Sequence, residues 1–197
     1  MSLPYYLVRH GESEWNVQRL TQGQTMHPRL TARGRDQATQ AARTIADDLA
    51  ASGLQAGSVT TSDLVRARET AEIIVEFLGA ELTVDERLRE QHLGALQGMS
   101  YDETFALAAT VDWSVPDQSI AGGESLHQVR DRVAAALSSI DPTSVTTVVS
   151  HGDAIRVAVA HAAGIEPHRA PWFEVPNGAV ARIEGRHATW LPQSLRV

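Results

Sequence analysis

The chain predicts an α/β fold, with helices on both faces of a largely parallel sheet. Two observations carry the prediction. Short apolar runs without polar alternation mark strands buried on both faces, and amphipathic stretches with capping residues separate them. No internal repeat, low-complexity tract or linker-like stretch divides the 197 residues, so a single domain over 1–197 is expected.

Residues 4–9 are a compact run of strand formers, and a polar loop follows over residues 10–30. Thr31 can cap a helix whose Ala38, Ala41, Ala42, Ile45, Ala46 and Leu49 recur at three- and four-residue spacing, with Gly53 as its stop. After a short strand over Ser58–Thr61, Ser62 is a natural cap for a second helix. Its stripe is Leu64, Ala67, Ala71, Ile74, Val75 and Leu78, and Gly79 stops it. Glu81–Val84 reads as a third strand. Residues 88–123 are irregular apart from a short helix opened by the capping box Ser100-x-x-Glu103, and residues 91–123 are expected to form a cap-like insertion. A second box, Ser125-x-x-Gln128, opens a helix through Val129, Val133, Ala136, Leu137 and Ile140. Residues 145–150 are the clearest buried strand, and an Ala/Val-rich helix follows to about Ala163. Residues 179–183 and 188–191 close the chain as two strands joined through Gly185.

Composition removes whole classes of chemistry. All 17 basic side chains are Arg, set against 24 acidic ones for a net charge of −7, and Cys is absent. Without Lys there is no Schiff-base amine, PLP anchor or P-loop lysine. Without Cys there is no thiolate nucleophile, disulfide, thiolate zinc site or iron–sulfur cluster. Net acidity argues against nucleic-acid binding. The apolar run over residues 3–8 is too short for a signal-peptide core or a membrane span, so a cytoplasmic protein without a membrane partner is expected.

Two strands end in nearly the same word: Leu7-Val8-Arg9-His10-Gly11 and Val148-Val149-Ser150-His151-Gly152. Sites in open α/β sheets lie just beyond the carboxyl ends of the strands. A lone His there is more often structural, but the repeated word favours a convergent pair, each with a Gly to let the backbone turn and a ligand approach. Arg66, in the first turn of the second helix, opposes the helix dipole and wants an anion. Arg68 reads as a surface residue paired with Glu72.

These residues carry a resemblance. Arg9-His10-Gly11-Glu12-Ser13-Glu14-Trp15-Asn16 resembles the signature of the histidine phosphatase superfamily, in its phosphoglycerate-mutase-like branch. The agreement continues in order through Gln22-Gly23, Leu30-Thr31-x-x-Gly34, Ser62-Asp63-Leu64-x-Arg66-Ala67, Leu88-x-Glu90-x-x-x-Gly94, Gly122-Gly123-Glu124-Ser125 and Ser150-His151-Gly152. The resemblance implies a three-layer α/β/α sandwich. It implies His10 as a nucleophile that forms a phosphohistidine, oriented by backbone near Gly11. Arg9, Arg66 and His151 match its phosphate pocket, Asn16 a further phosphate donor, and Glu90 the general acid and base. Gln22, Gly23 and Gly152 are carried over as substrate-binding positions. A nucleophilic imidazole must be neutral, which nearby cations favour. No metal or other cofactor is required, since His and Arg supply the electrophilic help. The other reading of Glu90 is a surface pair with Arg87 or Arg89.

A cofactor-dependent phosphoglycerate mutase needs cations beyond the phosphate pocket, and residues 90–129 contain no Arg. That segment carries Met99, Tyr101, Phe105, Leu107, Trp113 and Val115, which favours a phosphatase for a small phosphomonoester with a less anionic or partly apolar remainder. Arg19 and Arg29 keep an acidic substrate open. The loop departs from the family at Met26-His27-Pro28-Arg29-Leu30, where an Asp and a Pro-Leu pair are usual; His27 and His92 are taken as surface residues. Two other classes compete: a metal hydrolase using His10, Glu90, His151 and Asp153, which lacks local ligand spacing such as His-x-x-x-His, and a non-catalytic phospho-ligand binding module. A homodimer is compatible with the sequence.

Overall fold

A computed structural model describes residues 3–192, so residues 1–2 and 193–197 of the expected 1–197 domain lie outside the described residues. Six strands, β1 (Tyr5–Arg9), β2 (Ser58–Thr61), β3 (Glu81–Val84), β4 (Thr146–Ser150), β5 (Val180–Glu184) and β6 (His187–Trp190), form one sheet in the order β3-β2-β4-β1-β5-β6. The first four are parallel, and β5 and β6 extend the β1 edge antiparallel. The helices are α1 (Glu14–Val17), α2 (Ala32–Ser52), α3 (Val65–Leu78), α4 (Tyr101–Ala108), α5 (Leu126–Ser138) and α6 (Gly152–Ala163).

Period-two alternation along β1 divides the core. Tyr6 and Val8 point to one side, against Ala41, Ala42 and Ile45 of α2 and Ala67, Ala71 and Ile74 of α3. Leu7 and Val148 point to the other, against Val129 and Val133 of α5 and Ile155 and Ala158 of α6. The sheet is therefore covered on both faces, which is why its central strands read as continuous apolar runs. Ile45 is fully buried, and its truncation to Ala would cost about 2–5 kcal/mol.

The caps follow the sequence closely. Thr31 accepts from the Gly34 amide, Gly53 and Gly79 end α2 and α3 in the left-handed region, and Ser100 and Ser125 form full capping boxes. Two details differ. Ser62 does not cap α3: its hydroxyl accepts from the Leu64 amide at 3.3 Å, and the helix starts after Leu64 without a side-chain cap. Inside the loop expected over residues 10–30, Ser13 and Asn16 form a further capping box that opens α1, Asn16 doing what Glu or Gln does elsewhere. Among the described residues no helix is long and apolar enough to cross a membrane.

Candidate active site

Because β1 and β4 are parallel neighbours with Arg9 opposite Ser150, His10 and His151 leave adjacent carboxyl ends. Their rings lie 5.1 Å apart between centroids. The His10 amide donates to the Ser150 carbonyl at 3.0 Å, and its own carbonyl accepts from the Gly178 amide and from Asn177 Nδ2. Neither glycine beside the histidines has a positive φ, so the turn of the backbone does not itself require glycine there. A Cβ on Gly11 would collide with the Gly34 carbonyl at the start of α2, so Gly11 allows two backbones to touch. At Gly152 a Cβ would meet only ordinary contacts, the nearest the Glu90 carboxylate at 3.6 Å.

His10 Nδ1 lies 2.7 Å from the Gly11 carbonyl oxygen. A carbonyl only accepts, so Nδ1 carries the proton and Nε2 presents its lone pair. Arg66 Nε donates to that Nε2 over a long 3.3 Å, while its two terminal nitrogens donate to the Gly23 and Thr25 carbonyls at 2.7 and 2.9 Å. Burial, with the Arg66 and Arg9 guanidinium groups, pushes the His10 pKa well below its ordinary value and keeps the ring neutral. Burial and Arg9 lower the Arg66 pKa to about 10, which still leaves it a cation at neutral pH.

His151 is fully buried, and neither of its ring nitrogens has a hydrogen-bond partner; Arg9 Nε is likewise buried and unpaired, while another Arg9 nitrogen donates to the Val175 carbonyl. Burial, Arg66 and His10 hold the His151 pKa well below normal. An unpaired buried polar atom costs about 1–3 kcal/mol, so these atoms fit a ligand that supplies oxygen acceptors.

Glu90 does not pair with Arg87 or Arg89. Arg87 is bound to Asp85 and Arg89 to Asp63. The Glu90 carboxylate accepts instead from its neighbour Gln91 N at 2.9 Å and from Asp153 N and Ala154 N, at 3.1 and 3.2 Å, at the N-terminus of α6. Burial and the nearby Asp153 nevertheless raise its pKa. Its backbone is fixed by Gln24 and Arg132, both of which donate to the Glu90 carbonyl and bind Glu124. The Gly-Gly-Glu-Ser block thus supplies a carboxylate that ties the Glu90 loop together.

Asn16 Nδ2 donates to the Tyr101 hydroxyl at 3.1 Å, and its oxygen accepts from Ser13 and Asn177. Gln22 accepts from Ser13 Oγ at 2.8 Å. His10, Arg9, Arg66, Glu90, Asn16, Gln22, Gly23 and Gly152 all line one cavity of about 740 Å³; His151 is not itself among the lining residues, its ring lying tilted against that of His10. The far wall is apolar, with Leu96, Phe105, Trp113, Ile120, Trp172 and Phe173.

Three contributors were not visible as such in the sequence. Arg156, one turn into α6, lines the cavity, pairs with Asp153 and lies 5.1 Å from the centre of the exposed Trp172 ring. Asn177, in a Pro-Asn-Gly turn, binds the His10 backbone, and Tyr101 reaches Asn16 from α4. Conversely, Arg19 and Arg29 lie outside the lining: Arg19 is exposed and paired with Asp102, and Arg29 holds the buried Glu69 at 2.8 Å. Glu69 also accepts from the Leu30 amide, so the unusual Met-His-Pro-Arg-Leu stretch is anchored, with Leu30 buried and His27 exposed.

Residues 5–197 match the family model described as histidine phosphatase superfamily, branch 1. The chain belongs to that superfamily. Among curated members, a probable phosphoglycerate mutase, GpmB, of Salmonella paratyphi C is 36% identical over 196 residues, covering 96% of this chain and 88% of its own. Among solved members, mycobacterial glucosyl-3-phosphoglycerate phosphatase complexed with VO3 is 28% identical, covers 95% of each chain and superposes with a TM-score of 0.76. A second, mycobacterial hydrolase 1, is 29% identical over 91% of this chain and 87% of its own, at a TM-score of 0.75. The superfamily's three-layer α/β/α fold is the one described above.

Proposed function

We propose that the protein hydrolyses a small phosphomonoester through a phosphohistidine on His10. The observation that supports this most is the group of unpaired buried nitrogens of His151 and Arg9 around the His10 Nε2 lone pair. A phosphoryl group there would accept from Arg9 Nε and from the one His151 nitrogen that carries the proton of the neutral ring, and Arg66 Nε would exchange its long contact with His10 for a phosphate oxygen. Nε2 forms the bond to phosphorus as the ester P–O bond breaks. The leaving alkoxide takes the proton of Glu90, whose raised pKa favours the protonated carboxyl needed first. Water then attacks phosphorus as the P–Nε2 bond breaks and Nε2 recovers its lone pair, a proton of the water passes to Glu90, and inorganic phosphate leaves. No step calls for a metal: the Asp153 and Glu90 carboxylates are engaged by Arg156 and by backbone amides.

The apolar far wall supports a substrate with a partly apolar remainder, and the net charge of −7 supports a small molecule over nucleic acid as the partner. The name carried by the 36% identical relative favours a second reading, mutase chemistry. Against it, residues 90–129 hold no Arg, and Arg156 is committed to Asp153. The test is turnover of a panel of phosphomonoesters with chelator present, by wild type and His10→Ala. Wild-type hydrolysis with a trapped phosphohistidine supports the phosphatase. Interconversion of 3- and 2-phosphoglycerate stimulated by the bisphosphate would support the mutase, and no turnover of any kind a binding module.

A further inference from the structure

Outside this site, the described residues bring together one group of side chains with metal-ligating chemistry. His127 stands in the first turn of α5, Glu166 is the N-cap of the 3-10 turn Pro167–Arg169 that follows α6, and His168 is the middle residue of that turn. One ligand atom from each lies within 4.8 Å of the others. His127 Nε2 is 3.1 Å from His168 Nδ1 and 3.5 Å from a Glu166 carboxylate oxygen. In a tetrahedral zinc site with bonds of about 2.0–2.1 Å, ligand atoms are about 3.3 Å apart. The two separations from His127 match the edges of such a tetrahedron, and the third lies within 4.8 Å.

A second observation bears on the tautomer. Asp117 Oδ1 lies 3.5 Å from His127 Nδ1, on the other side of the ring. A carboxylate on that side favours the tautomer with the proton on Nδ1, which leaves the Nε2 lone pair facing Glu166 and His168, the outer arrangement common to metal-bound histidines. His168 would bind through Nδ1 with its proton on Nε2. Arg130 is the cation that faces the cluster, pairing with Glu166 at 2.6 Å. It also holds Asp131 at 2.7 Å, so a metal could share or take Glu166 without leaving Arg130 unpaired.

We propose that His127, Glu166 and His168 form a site for a divalent transition metal of the zinc class, with Asp117 as its outer carboxylate and water in the fourth position. The metal would be structural and lie at the rim of the large cavity, which His168 and Pro167 line. It would fasten the start of α5 to the turn leading to Trp172 and Phe173, and so fix the apolar wall. Two imidazoles and one carboxylate suit Zn²⁺ better than Mg²⁺ or Ca²⁺, which prefer oxygen ligands.

The test is chelator treatment of the full chain, then titration with Zn²⁺ by calorimetry and with Co²⁺ by visible absorption. One equivalent of Zn²⁺ and the intense bands of tetrahedral Co²⁺ are expected from wild type. Both should disappear in His127→Gln/His168→Gln with the circular dichroism unchanged, and Asp117→Asn should keep the stoichiometry with affinity roughly 10-fold weaker. Wild type that takes up no Zn²⁺, or a folded double variant that binds as wild type does, overturns the proposal. If the double variant fails to fold, the wild-type Co²⁺ spectrum decides: weak octahedral bands or none overturn it.

Discussion

Acid should loosen this protein through two particular side chains. His10 and His151 are 2% and 0% exposed, and burial together with Arg66 keeps both neutral in the fold. In the unfolded chain each would titrate near about pH 6.5. The folded state therefore binds fewer protons, so the stability these groups contribute is complete above the unfolded pKa and is lost as pH falls toward the folded one. Each imidazole carries at most about 1.4 kcal/mol per pH unit, and the pair about 2.7 kcal/mol. Glu90 works in the opposite sense: its raised pKa makes the folded state bind more protons, a contribution lost as pH rises through its folded value, which offsets part of the slope. His151→Asn isolates the imidazole effect, because it removes one of the two protons. Urea unfolding followed by Trp fluorescence at several pH values between about 5 and 8 gives both slopes. The variant's slope should be shallower by up to about 1.4 kcal/mol per pH unit. Equal slopes would refute the argument that burial holds His151 neutral.

Glu90→Gln should lower turnover of an alkyl phosphate by about 10²–10⁴-fold but that of p-nitrophenyl phosphate far less, since a nitrophenolate leaves without a proton; equal losses would remove the general-acid role. The alkaline limb of the alkyl-phosphate rate profile should vanish in the same variant. Gly11→Ala should cost about 1–3 kcal/mol in a thermal melt because its Cβ meets backbone, whereas Gly152→Ala should fold as wild type. Trp172→Ala should raise KM for a phosphomonoester with an apolar remainder and leave kcat nearly intact, which a KM-against-kcat comparison with a small polar substrate would check.

The strand-to-helix plan was legible because buried strands and capped helices leave strong local signals: Thr31, Gly53, Ser100 and Ser125 mark their boundaries through hydrogen bonds or turns within a few residues. Ser62 is not the cap because α3 begins only at Val65, so the Leu64 amide that its hydroxyl engages lies before the first helical residue. The positions of the two His-Gly words were readable, yet the reason for Gly11 was not, since its neighbour Gly34 is 23 residues away along the chain and close only in the fold. Arg29 reads as free for a substrate anion because it sits in a loop and its partner Glu69 lies 40 residues on, in α3. Arg156 and Asn177 went unnoticed for a similar reason: one is an ordinary helical Arg until Trp172 and Asp153 surround it, and the other acts on backbone atoms 167 residues away.

The fastening of His10 also bears on biosynthesis. Its amide is held by Ser150 and its carbonyl by Gly178 and Asn177, while the next amide, of Gly11, is held by Thr70 at 3.1 Å. An N-terminal residue thus waits for partners from the middle and the far end of the chain. A ribosome-bound fragment that stops before residue 178 contains every proposed reactive side chain but not the completed seat for the imidazole. Domains gain their native contacts as units during synthesis, and contacts this distant in sequence close late. The seat of His10 should therefore be completed late, when the stretch through Asn177 and Gly178 reaches the end of β1.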